Sequence, residues 1–187
     1  YVDEILLNGD MVLSPKELSG NGVSRLLDSE LESKYMIFRQ KDYHADTSDF
    51  RLISIDKDKL AFEARNIIAD LDLNARIGKF QSNSPKSSTV IFPYNEYISS
   101  FKGFTWEMDQ KTLGFENPPT ADIEDSYFTS IHPKQDSLRF SAPKAVYNLV
   151  DYIIYCEQVP EILVADAIIV PESGKVVVEK NAKMRTL

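Results

Sequence analysis

The feature that most constrains this chain is the rhythm of Ser137–Leu187, where short runs of β-branched and aromatic residues are broken by Asn, Asp, Pro and Gly. Tyr152–Cys156, Ile162–Val164, Ala167–Val170 and Lys175–Lys180 are each too short for an amphipathic helix. They lack a sustained 3.6-residue stripe and carry the residues that favour a pleated, half-buried backbone. The segment therefore predicts a ladder of four to six short strands. The same rhythm extends toward the N-terminus, so the fold class expected is all-β: a coiled β-jellyroll or β-solenoid-like stack of short strands, with one short helix at most.

Length and composition permit such a core. The chain has 187 residues, 43% of them hydrophobic, which suits a packed interior and argues against general disorder. Its net charge of −8 and lack of a dense Lys/Arg run argue against a nucleic-acid partner, which requires a basic face. No run of eighteen apolar residues is present, so the chain is not expected to be transmembrane itself. The one cysteine, Cys156, sits in an apolar run and reads as a buried small hydrophobe rather than a nucleophile. No signal peptide is visible. The chain opens on Tyr-Val-Asp-Glu and closes on Arg-Thr-Leu, which reads as a stretch of a longer parent.

Several segments carry specific expectations. Asn8-Gly9, between Ile5–Leu7 and Met11–Leu13, predicts a tight hairpin because both residues tolerate positive φ. Leu18–Gly22 lacks the lysine of a phosphate loop and reads as a turn. Leu26, Leu27 and Leu31 have helical spacing, so Val23–Glu32 is the place for a short helix. Leu60–Leu73 alternates as strands with polar corners, with a helix as the rival reading. The weakly hydrophobic Gln81–Ser88, with Pro85, is the best internal boundary. It gives a first β module over 1–80 and a second over 81–187, or one continuous stack. Asp109-Gln110-Lys111 should turn a hairpin that sets Phe104, Trp106 and Met108 against Leu113 and Phe115. Asp58–Ala64 and Asp136–Ala142 echo each other as turn, strand and small residue, a sign of a repeat.

Two groups could carry chemistry. If Asp42–Asp49 is extended, Asp42, His44 and Asp46 share a face with Asp49 near, a weak metal or acid–base candidate whose plainer reading is a wet strand face. The aromatics Tyr94, Tyr97, Phe101, Phe104 and Trp106 could form an exposed platform for sugars, peptides or apolar ligands, though core packing is the plainer reading. The acidic Glu116–Asp125 segment lacks calcium-loop spacing, and His132, before Pro133, reads as a turn residue. No nucleotide loop, zinc–cysteine set, serine elbow or haem motif is present, so no cofactor and no resident metal are assigned.

Leu18–Gly22, Tyr43–Phe50, His132–Leu138, and Val164–Pro171 through Asn181–Met184 resemble segments of large exported proteins of Bacteroides-type bacteria. The strand rhythm is similar to the β-jellyroll modules of the lipopolysaccharide-transport family. The first resemblance implies an envelope location, periplasmic or outer-surface, and a longer parent chain as partner. The second implies short strands around an apolar lumen and brings no catalytic residue. The leading expectation is a non-enzymatic structural or binding module of an exported envelope protein. The alternatives are an apolar-ligand or lipid/lipopolysaccharide transfer module, a carbohydrate- or peptide-binding module, and last a hydrolase.

Overall fold

In a computed structural model, residues 4–56, 59–84, 88–117, 126–136, 138–164 and 166–186 are described. They form one open antiparallel sheet of eighteen strands. The first five are long: β1 Leu6–Leu13, β2 Leu18–Leu26, β3 Ser29–Phe38, β4 Asp42–Ile53 and β5 Leu60–Asp72. The rest are short: β6 Ile77–Ser82, β7 Ser88–Phe92, β8 Tyr97–Phe101, β9 Gly103–Glu107, β10 Thr112–Glu116, β11 Tyr127–Ser130, β12 Arg139–Ser141, β13 Lys144–Asn148, β14 Ile153–Glu157, β15 Ile162–Val164, β16 Ala167–Ile169, β17 Val176–Val178 and β18 Met184–Thr186.

The architecture turns on β5. Its C-terminal half, Ile67–Asp72, pairs with β6, whereas Glu63 and Ala64 pair with β7. Between the halves stands Asn66, at φ 54°. Asn tolerates this left-handed conformation better than most side chains, so a single residue re-aims the strand. The Asn66 N–H donates to Asp49 Oδ1 at 3.0 Å, and its carbonyl accepts from the Asn83 N–H at 3.1 Å, which fixes the corner. From β5 two walls diverge. The first runs β6, β9, β10, β13, β14, β17 and β18; the second runs β7, β8, β11, β12, β15 and β16. The chain lays a hairpin in one wall, crosses, and lays the next in the other. Among the described residues all pairings are antiparallel, which is the jellyroll-like form of the expected coil rather than stacked parallel rungs.

The walls face each other because each strand alternates inward apolar and outward polar residues. Phe80, Phe104, Trp106, Phe115, Tyr147 and Ile154 project from the first wall, and Phe92, Tyr97, Phe101, Phe128 and Phe140 from the second, all buried. Their rings interlock across the gap: Phe101 and Phe115 at 4.7 Å, and Phe92 edge-on to Tyr147 at 5.1 Å. Phe62, on β5 at the junction, meets Phe92 at 5.5 Å and Phe104 at 5.1 Å. The expected lumen is thus filled by aromatic side chains through this region. The boundary near residue 80 is not marked by any break in pairing, since β5 and β6 reach forward to β7 and β9. Buried residues from both halves belong to one core cluster.

Local expectations are corrected at Val23–Glu32 and at Asn8-Gly9. Val23–Glu32 is not a helix but the β2–β3 hairpin, in which Leu26 and Leu31 are buried by alternation, and Ser29 Oγ donates to the Leu26 carbonyl at 2.7 Å. Leu60–Leu73 is extended, as its alternation indicated, though as one strand rather than several, and pairing on both edges of β5 outweighs the helix propensity of its Ala, Glu and Arg. Asn8-Gly9 makes no turn; it lies within β1, opposite Gly22 and Val23. There, a Cβ on Gly9 would lie 1.9 Å from the Asn21 carbonyl oxygen. Gly9 therefore answers a close backbone approach, the other common reason for a strand glycine. The Asp109–Lys111 hairpin forms as expected, with Phe104 opposite Phe115 and Trp106 opposite Leu113.

Candidate functional site

The Asp42–Asp49 segment is extended within β4, and its pairing with β5 sets His44 opposite Asp70. The imidazole is clasped: Nδ1 lies 2.7 Å from Asp70 Oδ1 and Nε2 lies 2.9 Å from Asp46 Oδ1. Two carboxylate acceptors favour the doubly protonated ring, and in that form both nitrogens donate and neither has a lone pair to offer a metal. The hydrogen bond to Asp46 raises the His44 pKa; partial burial works against it, and Asp70 adds to the rise. The other two residues are engaged elsewhere. Asp42 accepts from Arg39 at 2.8 Å, and Asp49 from the Asn66 N–H. The structure thus brings His44 and Asp46 together and adds Asp70, which sequence reasoning missed because β5 enters β4's neighbourhood only through pairing. Among the described residues, no group of three or more His, Cys, Asp or Glu could hold a metal ion.

The five aromatics proposed as a platform are all buried, so they present no flat face to solvent. Phe101 and Phe104 belong to the ring core. The Tyr97 hydroxyl donates to Gln135 Oε1 at 3.3 Å, and burial pushes its pKa up to about 12. Tyr94 does something else. It stacks on Tyr152 with centroids 4.1 Å apart and planes 6° from parallel. Lys59 Nζ caps the Tyr94 ring at 3.8 Å, and Lys180 Nζ caps Tyr152 at 4.7 Å. Next to it Asn95, fully buried, donates to the Tyr152 carbonyl at 2.8 Å and the Val178 carbonyl at 3.0 Å. The β7–β8 turn of the second wall is thereby latched to the β13–β14 turn and β17 of the first. Asn181 and Ala182 N–H groups extend the latch by donating to the Tyr94 and Asn95 carbonyls. Asn95 Oδ1 is buried without a hydrogen-bond partner.

Beyond the latch the two lips part into a groove of about 320 Å³. Its floor is Trp106, Met108, Leu52 and Ala61, with Ile53 beside them. One lip carries Leu27, Asp28 and Ile55 from the β2–β3 turn and the end of β4. The other carries Arg76, Asp109, Lys111 and Leu149 from the first-wall turns. Arg76 and Asp109 are paired at 2.5 Å. Of the platform residues only Trp106 belongs to this groove, and from beneath it.

Other candidates place plainly. Cys156 is buried, and burial drives its thiol far above the usual range, which leaves it inert. His132 Nε2 lies 3.7 Å from Glu96, and its Nδ1 accepts from the Lys134 N–H at 3.1 Å, a turn arrangement. Most of the acidic Glu116–Asp125 segment lies outside the described residues. No family model matches the chain, and no curated protein matches it.

Proposed function

We propose that this chain is a non-enzymatic structural module of a larger exported envelope protein, a rigid β stack that carries load or holds neighbouring parts in register. The observation that carries the reading is the filled and latched interior. Interlocked rings occupy the space between the walls, and the Tyr94–Tyr152 stack with Asn95 closes the seam through which a lipid chain would enter. A scaffold needs such a closed-packed core; a lipid conduit needs a continuous open channel. The titratable groups support the same reading. His44, the buried Glu63 and Glu179 are each tied up in ion pairs on different strands, and none of them lines the groove. Among the described residues no helix is long and apolar enough to cross a membrane.

The test is native mass spectrometry of delipidated protein after incubation with an envelope lipid extract, paired with hydrogen exchange of the free protein. The scaffold reading expects no retained lipid and slow exchange in β6–β10 and β13. Retained lipid accompanied by faster exchange in the β7–β8 and β13–β14 turns would replace it with the transfer reading.

A further inference from the structure

The groove beside the latch has a chemistry that the scaffold reading does not use. Its floor is apolar and contains the chain's single tryptophan, Trp106. Its volume of about 320 Å³ is at the low end of small-molecule sites. The four charges on its lips are unequal. Arg76 and Asp109 neutralise each other, while Asp28 on one lip and Lys111 on the other make no ion pair among the described residues. A groove with an apolar floor and single opposite charges on its two lips is complementary to a ligand with an apolar body between two opposite charges.

The outer lip adds a second observation. Leu27 is 49% exposed and Ile55 52% exposed, so neither gains much from burial in the fold. Leu27 also stands at φ 54°, a conformation that costs a bulky residue energy and that Gly or Asn would occupy more easily. The same left-handed conformation recurs at other turns of this chain, Lys111 on the opposite lip among them, so what the lip offers a ligand is the exposed apolar surface of Leu27 and Ile55.

We propose that this groove binds a short peptide with free termini and apolar side chains. Its ammonium group faces Asp28, its carboxylate faces Lys111, and its side chains lie against the exposed Leu27 and Ile55, above the buried Trp106 and Met108. A dipeptide such as Phe-Leu places opposite charges at its two ends with an apolar body between them. An alkyl carboxylate offers Lys111 a partner but leaves Asp28 facing apolar chain.

The experiment titrates the intact protein with Phe-Leu, following Trp106 fluorescence, and repeats the titration with N-acetylated and C-amidated Phe-Leu and with decanoate. The proposal expects saturation with a Kd on the order of 0.1 mM. Each capped form should bind about fivefold to tenfold more weakly, and decanoate more weakly still. Asp28→Asn should lose affinity for the free dipeptide but not for the N-acetylated form, and Lys111→Gln should do the same for the C-amidated form. That pattern isolates each charge pair from any general effect on folding. Leu27→Asn should weaken binding while leaving the melting temperature unchanged or higher, which separates lip contact from fold damage. No saturable fluorescence change would overturn the proposal, as would decanoate binding that is tighter than the dipeptide's and insensitive to Asp28→Asn. Neither failure touches the scaffold reading, which rests on the interior and the latch.

Discussion

Replacing Phe62 with alanine tests whether the two walls share one core. Phe62 is fully buried on the strand from which both walls spring, and its ring meets Phe50, Phe92, Phe104 and Phe115 at centroid distances of 6.4, 5.5, 5.1 and 5.9 Å. Those partners come from β4, β7, β9 and β10, so no single neighbour can move in to fill the space. Phe→Ala changes in cores cost about 3–5 kcal/mol, and a site fixed on four sides belongs near about 4 kcal/mol. With a urea slope of about 2 kcal/mol per molar, the midpoint should fall by about 2 M. The assay is equilibrium urea unfolding followed by Trp106 fluorescence and by far-UV circular dichroism. The two probes should give one coincident transition in both proteins, because residues 1–80 and 81–187 pack on the same side chain. Phe62→Leu, which keeps most of the volume, should lose no more than about 1.5 kcal/mol. A loss below about 1 kcal/mol for the alanine variant would refute the shared core. So would two separated transitions, with only the fluorescence transition shifted.

The latch predicts that Asn95→Ala lowers stability by about 2–3 kcal/mol in the same assay, since it strands the buried Tyr152 and Val178 carbonyls. His44 has a raised pKa, so the stability it contributes is fully present below the unfolded value near 6.5 and is lost as pH rises through its folded value. His44→Gln should flatten thermal stability across that window. The effect should stay within about 1 kcal/mol, because Asp46 and Asp70 are largely exposed. Glycine positions should separate cleanly in thermal melts. Gly114→Ala, whose Cβ would meet nothing within 4 Å, should be neutral or stabilising by up to about 1 kcal/mol. Gly9→Ala, driven into the Asn21 carbonyl, should lower the midpoint severely.

Much of the fold was legible because strand patterning is local. The alternation of Phe104, Trp106 and Met108 against Leu113 and Phe115 specified both the β9–β10 hairpin and its inward face. The same logic predicts that aromatics at every second position pack inward, which is why Tyr97 and Phe101 form core rather than platform. The local signals misled where a residue type has two physical uses. Asn8-Gly9 can make a turn or allow two backbones to approach, and only the partner at Asn21–Gly22 decides between them. Leu26, Leu27 and Leu31 fit a helical face by spacing alone. Their fate was set by the turn at Leu27, which leaves it exposed while Leu26 and Leu31 go in.

Residue patterning alone was enough to make this chain all-β and to leave it without a familiar catalytic spacing. Tertiary structure alone decided which residues meet. The division of β5 at Asn66, the joining of Asp70 to His44, the latch of Asn95 and Tyr94 on Tyr152, and the groove between Asp28 and Lys111 all depend on long-range register. A strand's own residues fix which face turns inward. Which partner strand comes alongside, and at what offset, is fixed by the summed fit of the whole core.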